Sequence, residues 1–257
     1  MYSLPIPDSN GTIQFSSLNP RNLNLGHIVN DLTNNTINKG THIHHDPDID
    51  STLHHDDLEW LPAFGQSKAA QRHLEKNDVT IGSIFLFFGW FRKVQYLNGH
   101  YSYVPSSPDL HVIFGWLRVS EIFDINSNEL PPNPIKNHVH FTTQAHPNVV
   151  YYANKRDDAG MFHHFSDVLQ LTAPNRTRSV WRLPRWLFPR NNLPMTYHGN
   201  PNRWTCNKDE SVLLESVPIG QEFVIDCDIY PEAIQWAEDI ILCGLTSHSS
   251  GRLHGAA

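Results

Sequence analysis

Two stretches of this chain are near copies of one strand phrase: Ile84-Phe85-Leu86-Phe87-Phe88-Gly89-Trp90-Phe91-Arg92 and His111-Val112-Ile113-Phe114-Gly115-Trp116-Leu117-Arg118-Val119. Each runs through aliphatic and aromatic residues, breaks at a glycine, and then presents Trp, an apolar residue and Arg. Runs of β-branched and aromatic side chains of this length are buried strands. A glycine inside such a run marks a bulge, a bend, or the close approach of another backbone or a ligand. The middle of the chain is thereby committed to a sheet. If both strands face one cleft, Trp90, Arg92, Trp116 and Arg118 suit a planar, anionic ligand such as a nucleotide or a nucleic-acid end. In the plainer alternative both indoles are core and both guanidinium groups lie on a rim.

The rest of the sequence fits a strand-rich α+β protein with peripheral helices and long loops. Eighteen prolines argue for short strands and turns and against a helical bundle. At 257 residues, 1–245 fits one α+β domain, and 246–257 reads as a flexible, small and polar tail. The net charge of −7 argues against coating duplex DNA by bulk electrostatics. Cys206, Cys227 and Cys243 are odd in number and widely spaced, so buried thiols in a reducing cytoplasm are expected rather than disulfides or a Cys-x-x-Cys knuckle. The first 20 residues lack a signal-peptide pattern, and the best apolar run, 81–91, is too short for a membrane span.

Local signals place the elements. Leu25, Ile28, Val29 and Leu32 recur at helical spacing, and a second helix is expected over 65–77. Asn98-Gly99 marks a hairpin between the two aromatic strands. Pro131, Pro132 and Pro134 form a stiff connector, after which His138-Val139-His140-Phe141 alternates as a strand would, with both histidines on one face. Further strands are expected at 149–152, 169–172, 212–214 and 220–226, and a helix after Pro231.

The densest polar chemistry is Thr41-His42-Ile43-His44-His45-Asp46-Pro47-Asp48, followed by His54, His55, Asp56 and Asp57. Imidazole nitrogen and carboxylate oxygen suit a divalent Fe, Zn or Mn ion. His44 and Asp46 stand two apart, and Asp48, His138 and His140 are the other candidate ligands, one distant histidine completing a two-His, one-carboxylate set. The alternative is a turn or helix cap without metal, chance clusters being easy among 17 histidines. The stretch from Arg176 through Trp181, Arg182, Arg185 and Trp186 to Arg190 interleaves guanidinium groups with indoles, either as a base-stacking surface or as a loop pinned by buried Trp. Ser166 beside His164, and Cys206 beside Trp204, are weaker nucleophile candidates. No NAD fingerprint, ATP-type phosphate loop or Gly-x-Ser-x-Gly elbow occurs.

Taken together, several phrases resemble the third of the nucleotide-modification-associated domain families, encoded beside predicted DNA-modification enzymes in phages and bacteria. They are Leu25-Gly26-His27 leading to Asp31-Leu32-Thr33, His44-His45-Asp46-Pro47-Asp48-Ile49, Phe64-Gly65-Gln66 with Ala69-Ala70-Gln71 and His73-Leu74, both Gly-Trp phrases, Trp181-Arg182-Leu183-Pro184, and Gly220-Gln221-Glu222-Phe223-Val224. Within 42–57 the resemblance favours His44 over His42, His45, His54 and His55. A second resemblance, in the order of strand, insert and strand, is to PUA-like β-barrels and implies such a core around 78–155. The leading expectation is a domain that binds a nucleotide, modified base or nucleic acid, with Trp90, Arg92, Trp116, Arg118, Trp181 and Arg182 about the cleft. The alternative is a metal-dependent oxidoreductase or hydrolase acting on a nucleotide or other small molecule. A third reading is an accessory subunit of a DNA-modification enzyme.

Overall fold

The computed structural model describes residues 1–189, 192–207, 209–218 and 222–246. The chain opens with strands β1 (Ile6–Pro7) and β2 (Ile13–Gln14) and helix α1 (Leu25–Leu32). The helix lies where the apolar spacing places it, and the Asn24 side chain caps it by accepting from the His27 N–H at 2.9 Å. Strand β3 (His42–His44) lies between β1 and β2, antiparallel to both. Strand β4 (Ala63–Ser67) runs directly into helix α2 (Lys68–Lys76). The helix expected over 65–77 thus starts later, because Gly65, Gln66 and Ser67 pair with a strand far along the chain.

The two aromatic phrases become β5 (Ile84–Phe91) and, after the hairpin β6 (Val94–Leu97) and β7 (His100–Tyr103), strand β8 (Leu110–Arg118). Asn98 and Gly99 both take positive φ, 53° and 81°, as a two-residue hairpin turn requires. The phrases pair antiparallel. Phe87 opposes Gly115 and Phe88 opposes Ile113, so Phe114 is the extra residue of a bulge. The glycine at this break is needed for close approach: a Cβ on Gly115 would stand 2.5 Å from Ile49 Cδ1 and 2.8 Å from the Gly160 carbonyl oxygen.

Strands β9 (Glu121–Asp124), β10 (Asn148–Tyr152), β11 (Ala159–Met161), β12 (Val180–Pro184), β13 (Trp204–Cys206) and β14 (Ser211–Glu215) follow, and helix α3 (Glu232–Thr246) ends the described chain. The sheets run β1-β3-β2, β4-β10-β9, β11-β8-β5, β12-β14-β13 and β6-β7, with every named pairing antiparallel. The α+β class is the expected one. Among the described residues the small sheets do not close into a barrel. One core joins Val112, Trp116, Trp181, Leu214 and Ile240, and a second joins Leu74, Leu117 and Tyr151. No helix is long and apolar enough to cross a membrane among the described residues.

Some local expectations fail. Residues 139–142 form a 3₁₀ turn, with His138 as its cap, where an alternating strand was expected. The segment 169–172 makes isolated bridges only, and 222–226 is irregular, while Gly220 and Gln221 lie outside the described residues. All three cysteines are exposed, not buried. Thr246 belongs to α3, and the rest of the expected tail, with Arg190, lies outside the described residues.

Candidate metal centre

Strand β3 delivers His44, and the following turn carries Asp46 beneath β4. Pairing of Ile6 with His44 brings the residue just beyond β1, Asp8, beside the histidine. The 3₁₀ turn at 139–142 then directs His138 and His140 at Asp46 from the other side, their Nε2 atoms standing 3.3 Å from Oδ1 and 3.4 Å from Oδ2. His44 Nε2 stands 3.7 Å from the same Oδ2. One ligand atom each from His44, Asp46 and His140 can be chosen so that all lie within 4.8 Å of one another. This is a two-His, one-carboxylate set.

The surrounding hydrogen bonds decide what each group presents. Asn148 is fully buried, and its Nδ2 donates to the carbonyl oxygens of His140 at 3.0 Å and Thr143 at 3.1 Å. Its Oδ1 is therefore an acceptor, and it meets His140 Nδ1 at 2.7 Å. In the neutral ring the proton of His140 sits on Nδ1, so Nε2 then turns a lone pair toward Asp46. Asp8 Oδ2 stands 3.4 Å from His44 Nδ1 and does the same for that ring. Asp46 Oδ1 accepts the Gly65 N–H at 3.0 Å, which leaves Oδ2 to the two rings. Two imidazole nitrogens and a carboxylate oxygen that converge in this way could hold a cation between them.

His138 differs from His140. Its Nδ1 accepts the backbone N–H of His140 at 3.3 Å, so the neutral ring carries its proton on Nε2 and offers Asp46 an N–H, not a lone pair. It stands beside the carboxylate but outside the group whose donor atoms converge. Asp48, also expected to bind, belongs to a neighbouring cluster with His54 and Trp60. Burial alone would raise the Asp46 carboxyl, but when the His138, His140 and His44 rings turn N–H groups toward it, as they can without a cation, those contacts hold it well below the ordinary range. The same contact with Asp46 raises His44, against the opposing effect of burial and with help from Asp8.

Gly65 is part of the site. A Cβ there would stand 2.3 Å from His140 Cγ and Cδ2, so the ring packs directly on the β4 backbone. Asp8, Gly65 and Asn148 have no local signature, and only the strand pairings bring them in.

The aromatic residues expected around a ligand are dispersed. Trp90 lies opposite His111 and Trp116 opposite Leu86, so the indoles do not face each other. Trp116 is 4% exposed and stacked on Phe162, and Trp181 is 3% exposed with its Nε1–H donated to His111 Nδ1. Trp90 is 63% exposed and carries the Arg178 guanidinium 4.0 Å over its ring. Arg92 lies over Tyr103 and near Asp109, Arg118 is paired with Glu238, and Arg182 is exposed on β12. A broad cleft of about 2660 Å³ has Asp46, Phe64, Phe88, Trp90 and Arg178 among its many wall residues, but neither His44 nor His140.

No curated protein and no solved structure matches the chain. Residues 1–226 match the family described as nucleotide modification associated domain 3, and the chain belongs to it.

Proposed function

We propose that this member of the nucleotide modification associated domain 3 family is a metal-dependent enzyme acting on a nucleotide or modified base, its ion held by His44, Asp46 and His140. The observation that carries the reading is the tautomer control: Asp8 and Asn148 each engage the far nitrogen of one ring, leaving both Nε2 atoms to meet Asp46 Oδ2. Metal-binding histidines are oriented in this way. Nitrogen and carboxylate donors suit Fe(II), Zn(II) or Mn(II), and such an ion supplies activation of water or oxygen. The family links the chain to nucleotide modification, and the cleft that reaches Asp46 offers Phe88 and Trp90 as stacking surfaces. Elemental analysis of protein loaded with Fe(II) or Zn(II) should find a bound ion that His44→Ala and His140→Ala both lose. A wild-type protein that retains no ion at any loading refutes the reading.

A nucleotide-reading role without catalysis is favoured by one observation, the solvent-exposed Trp90 under Arg178. Arg pairs with phosphate while the indole stacks on a base. Trp90→Ala should then weaken binding of nucleotides by about 1–3 kcal/mol. Equal affinity of the variant and the parent for modified and unmodified nucleotides ends that reading.

A further inference from the structure

Three arginines stand in the cleft wall. Arg92 and Arg118 are paired with Asp109 and Glu238, whereas Arg178 has no carboxylate partner among the described residues. Its guanidinium lies 4.0 Å over Trp90, and its carbonyl oxygen accepts the Thr172 hydroxyl at 3.0 Å. The same buried hydroxyl accepts the His111 N–H at 2.7 Å, so one side chain ties the two backbones together. His111 also lines the cleft, and it stands opposite Trp90 across the β5–β8 pairing, so the two side chains share a face of the sheet. Its Nδ1 accepts the Trp181 Nε1–H at 2.9 Å. An indole N–H only donates, so the neutral ring carries its proton on Nε2. That N–H has no protein partner among the described residues and is not sealed from solvent. Burial first and the charge of Arg178 second push His111 down to about 4, which keeps the ring neutral above that value.

We propose that His111 joins Arg178 in a phosphate subsite, so that the cleft selects a phosphorylated nucleotide over the bare nucleoside. The proposal rests on nucleotide binding in this cleft, which both readings above share, and names the group that is recognised. A guanidinium without a counter-charge and a fixed imidazole N–H are both donors, and a phosphate presents acceptor oxygens and negative charge to both. An uncharged ring would occupy Trp90 but leave the guanidinium without its ion. Packing explains why Trp181 bonds to His111, since a buried indole N–H needs an acceptor; it does not explain an unpaired arginine tied to the same histidine.

Isothermal titration of the full chain, with a chelator present so that no metal ion draws the phosphate, tests this. Deoxynucleoside monophosphates should bind about a hundredfold more tightly than the matching nucleosides, a factor of about ten for each donor. Arg178→Gln and His111→Asn should each cut that preference about tenfold and leave nucleoside affinity as in the parent. Asn suits the second position because its Oδ1 can still accept the Trp181 N–H, while the side chain is too short to replace Nε2–H. Equal affinity of the parent for nucleotides and nucleosides, or the parental preference in either folded variant, overturns the proposal and leaves stacking on Trp90 standing. Inorganic phosphate should bind more weakly than the nucleotides; binding as tight makes the free ion the ligand and overturns the proposal. A parent that binds neither nucleotide nor nucleoside overturns nucleotide binding in the cleft as well. Circular dichroism checks folding. Should His111→Asn not fold, modification of the parent by diethyl pyrocarbonate, located by peptide mass spectrometry, decides. The nucleotide should shield His111 and the nucleoside should not, and equal labelling with both overturns the proposal.

Discussion

Gly65→Ala is the sharpest probe of the centre, because it adds one methyl group and no charge. The new Cβ would stand 2.3 Å from two atoms of the His140 ring and 2.7 Å from its Nε2. Ordinary contact begins near 3.4 Å, so either ring or strand must give by about 1 Å. The strand is pinned: β4 pairs with β10 along all five residues, Gly65 opposite Val150. The ring is pinned less firmly, chiefly by its 2.7 Å hydrogen bond to Asn148, so the ring moves. Overpacking of this kind costs about 1–3 kcal/mol, against which the stiffer unfolded chain returns about 0.4–1 kcal/mol. A net loss of about 1–2 kcal/mol in the metal-free protein follows. Metal bonds tolerate displacements of only about 0.2 Å, so the same shift should lower affinity at the His44, Asp46 and His140 site by at least about tenfold. Chelator competition with Co(II), run beside urea denaturation of the metal-free protein, measures both quantities. Wild-type affinity together with wild-type stability would show that His140 does not rest on the Gly65 backbone, and the geometry argued for the site would be wrong.

Three further outcomes are expected. Asn148→Leu removes the acceptor that sets the His140 tautomer and strands two carbonyl oxygens; ion affinity should fall about 10–100-fold and stability by about 1–3 kcal/mol, read by the same two assays. Trp116→Ala should cost about 3–5 kcal/mol of unfolding free energy as a core cavity, whereas Trp90→Ala at its exposed site should stay within about 0.5 kcal/mol; equal denaturant midpoints for the pair would contradict their assigned burial. His111 is pushed from an ordinary 6.5 down to about 4, by burial first and the charge of Arg178 second. Protons therefore bind the unfolded chain before the folded one, and the stability held by neutral His111 is complete above pH 6.5 and lost as pH falls toward 4. The stability difference between the parent and His111→Asn should shrink across that window, and a constant difference would refute the assignment.

Much of the local structure was legible along the chain. The spacing of Leu25, Ile28, Val29 and Leu32 marks α1, Asn98-Gly99 marks its hairpin, and the two aromatic phrases mark β5 and β8. His44, Asp46 and His140 could also be named as candidate ligands from residue type and spacing, because the donor chemistry is intrinsic to the side chains. The direction of His138 and His140 could not, since alternation suggests a strand and the chain makes a 3₁₀ turn whose cap spends the Nδ1 lone pair of His138. Nothing local tells which of the two converges with His44 and Asp46.

Sequence alone determined which segments are apolar enough to become strands and which side chains can donate to a cation, because periodicity and donor type are properties of the chain itself. Tertiary structure decided which of them meet. The same Gly-Trp-apolar-Arg phrase is buried in β8, which is covered by β5 and β11, and exposes its indole in β5 at the sheet edge. Asp8 reaches His44 through the β1–β3 pairing, and Gly65 lies where only a backbone without Cβ lets His140 approach Asp46. Such contacts join residues far apart in the chain, and only long-range pairing in three dimensions selects them.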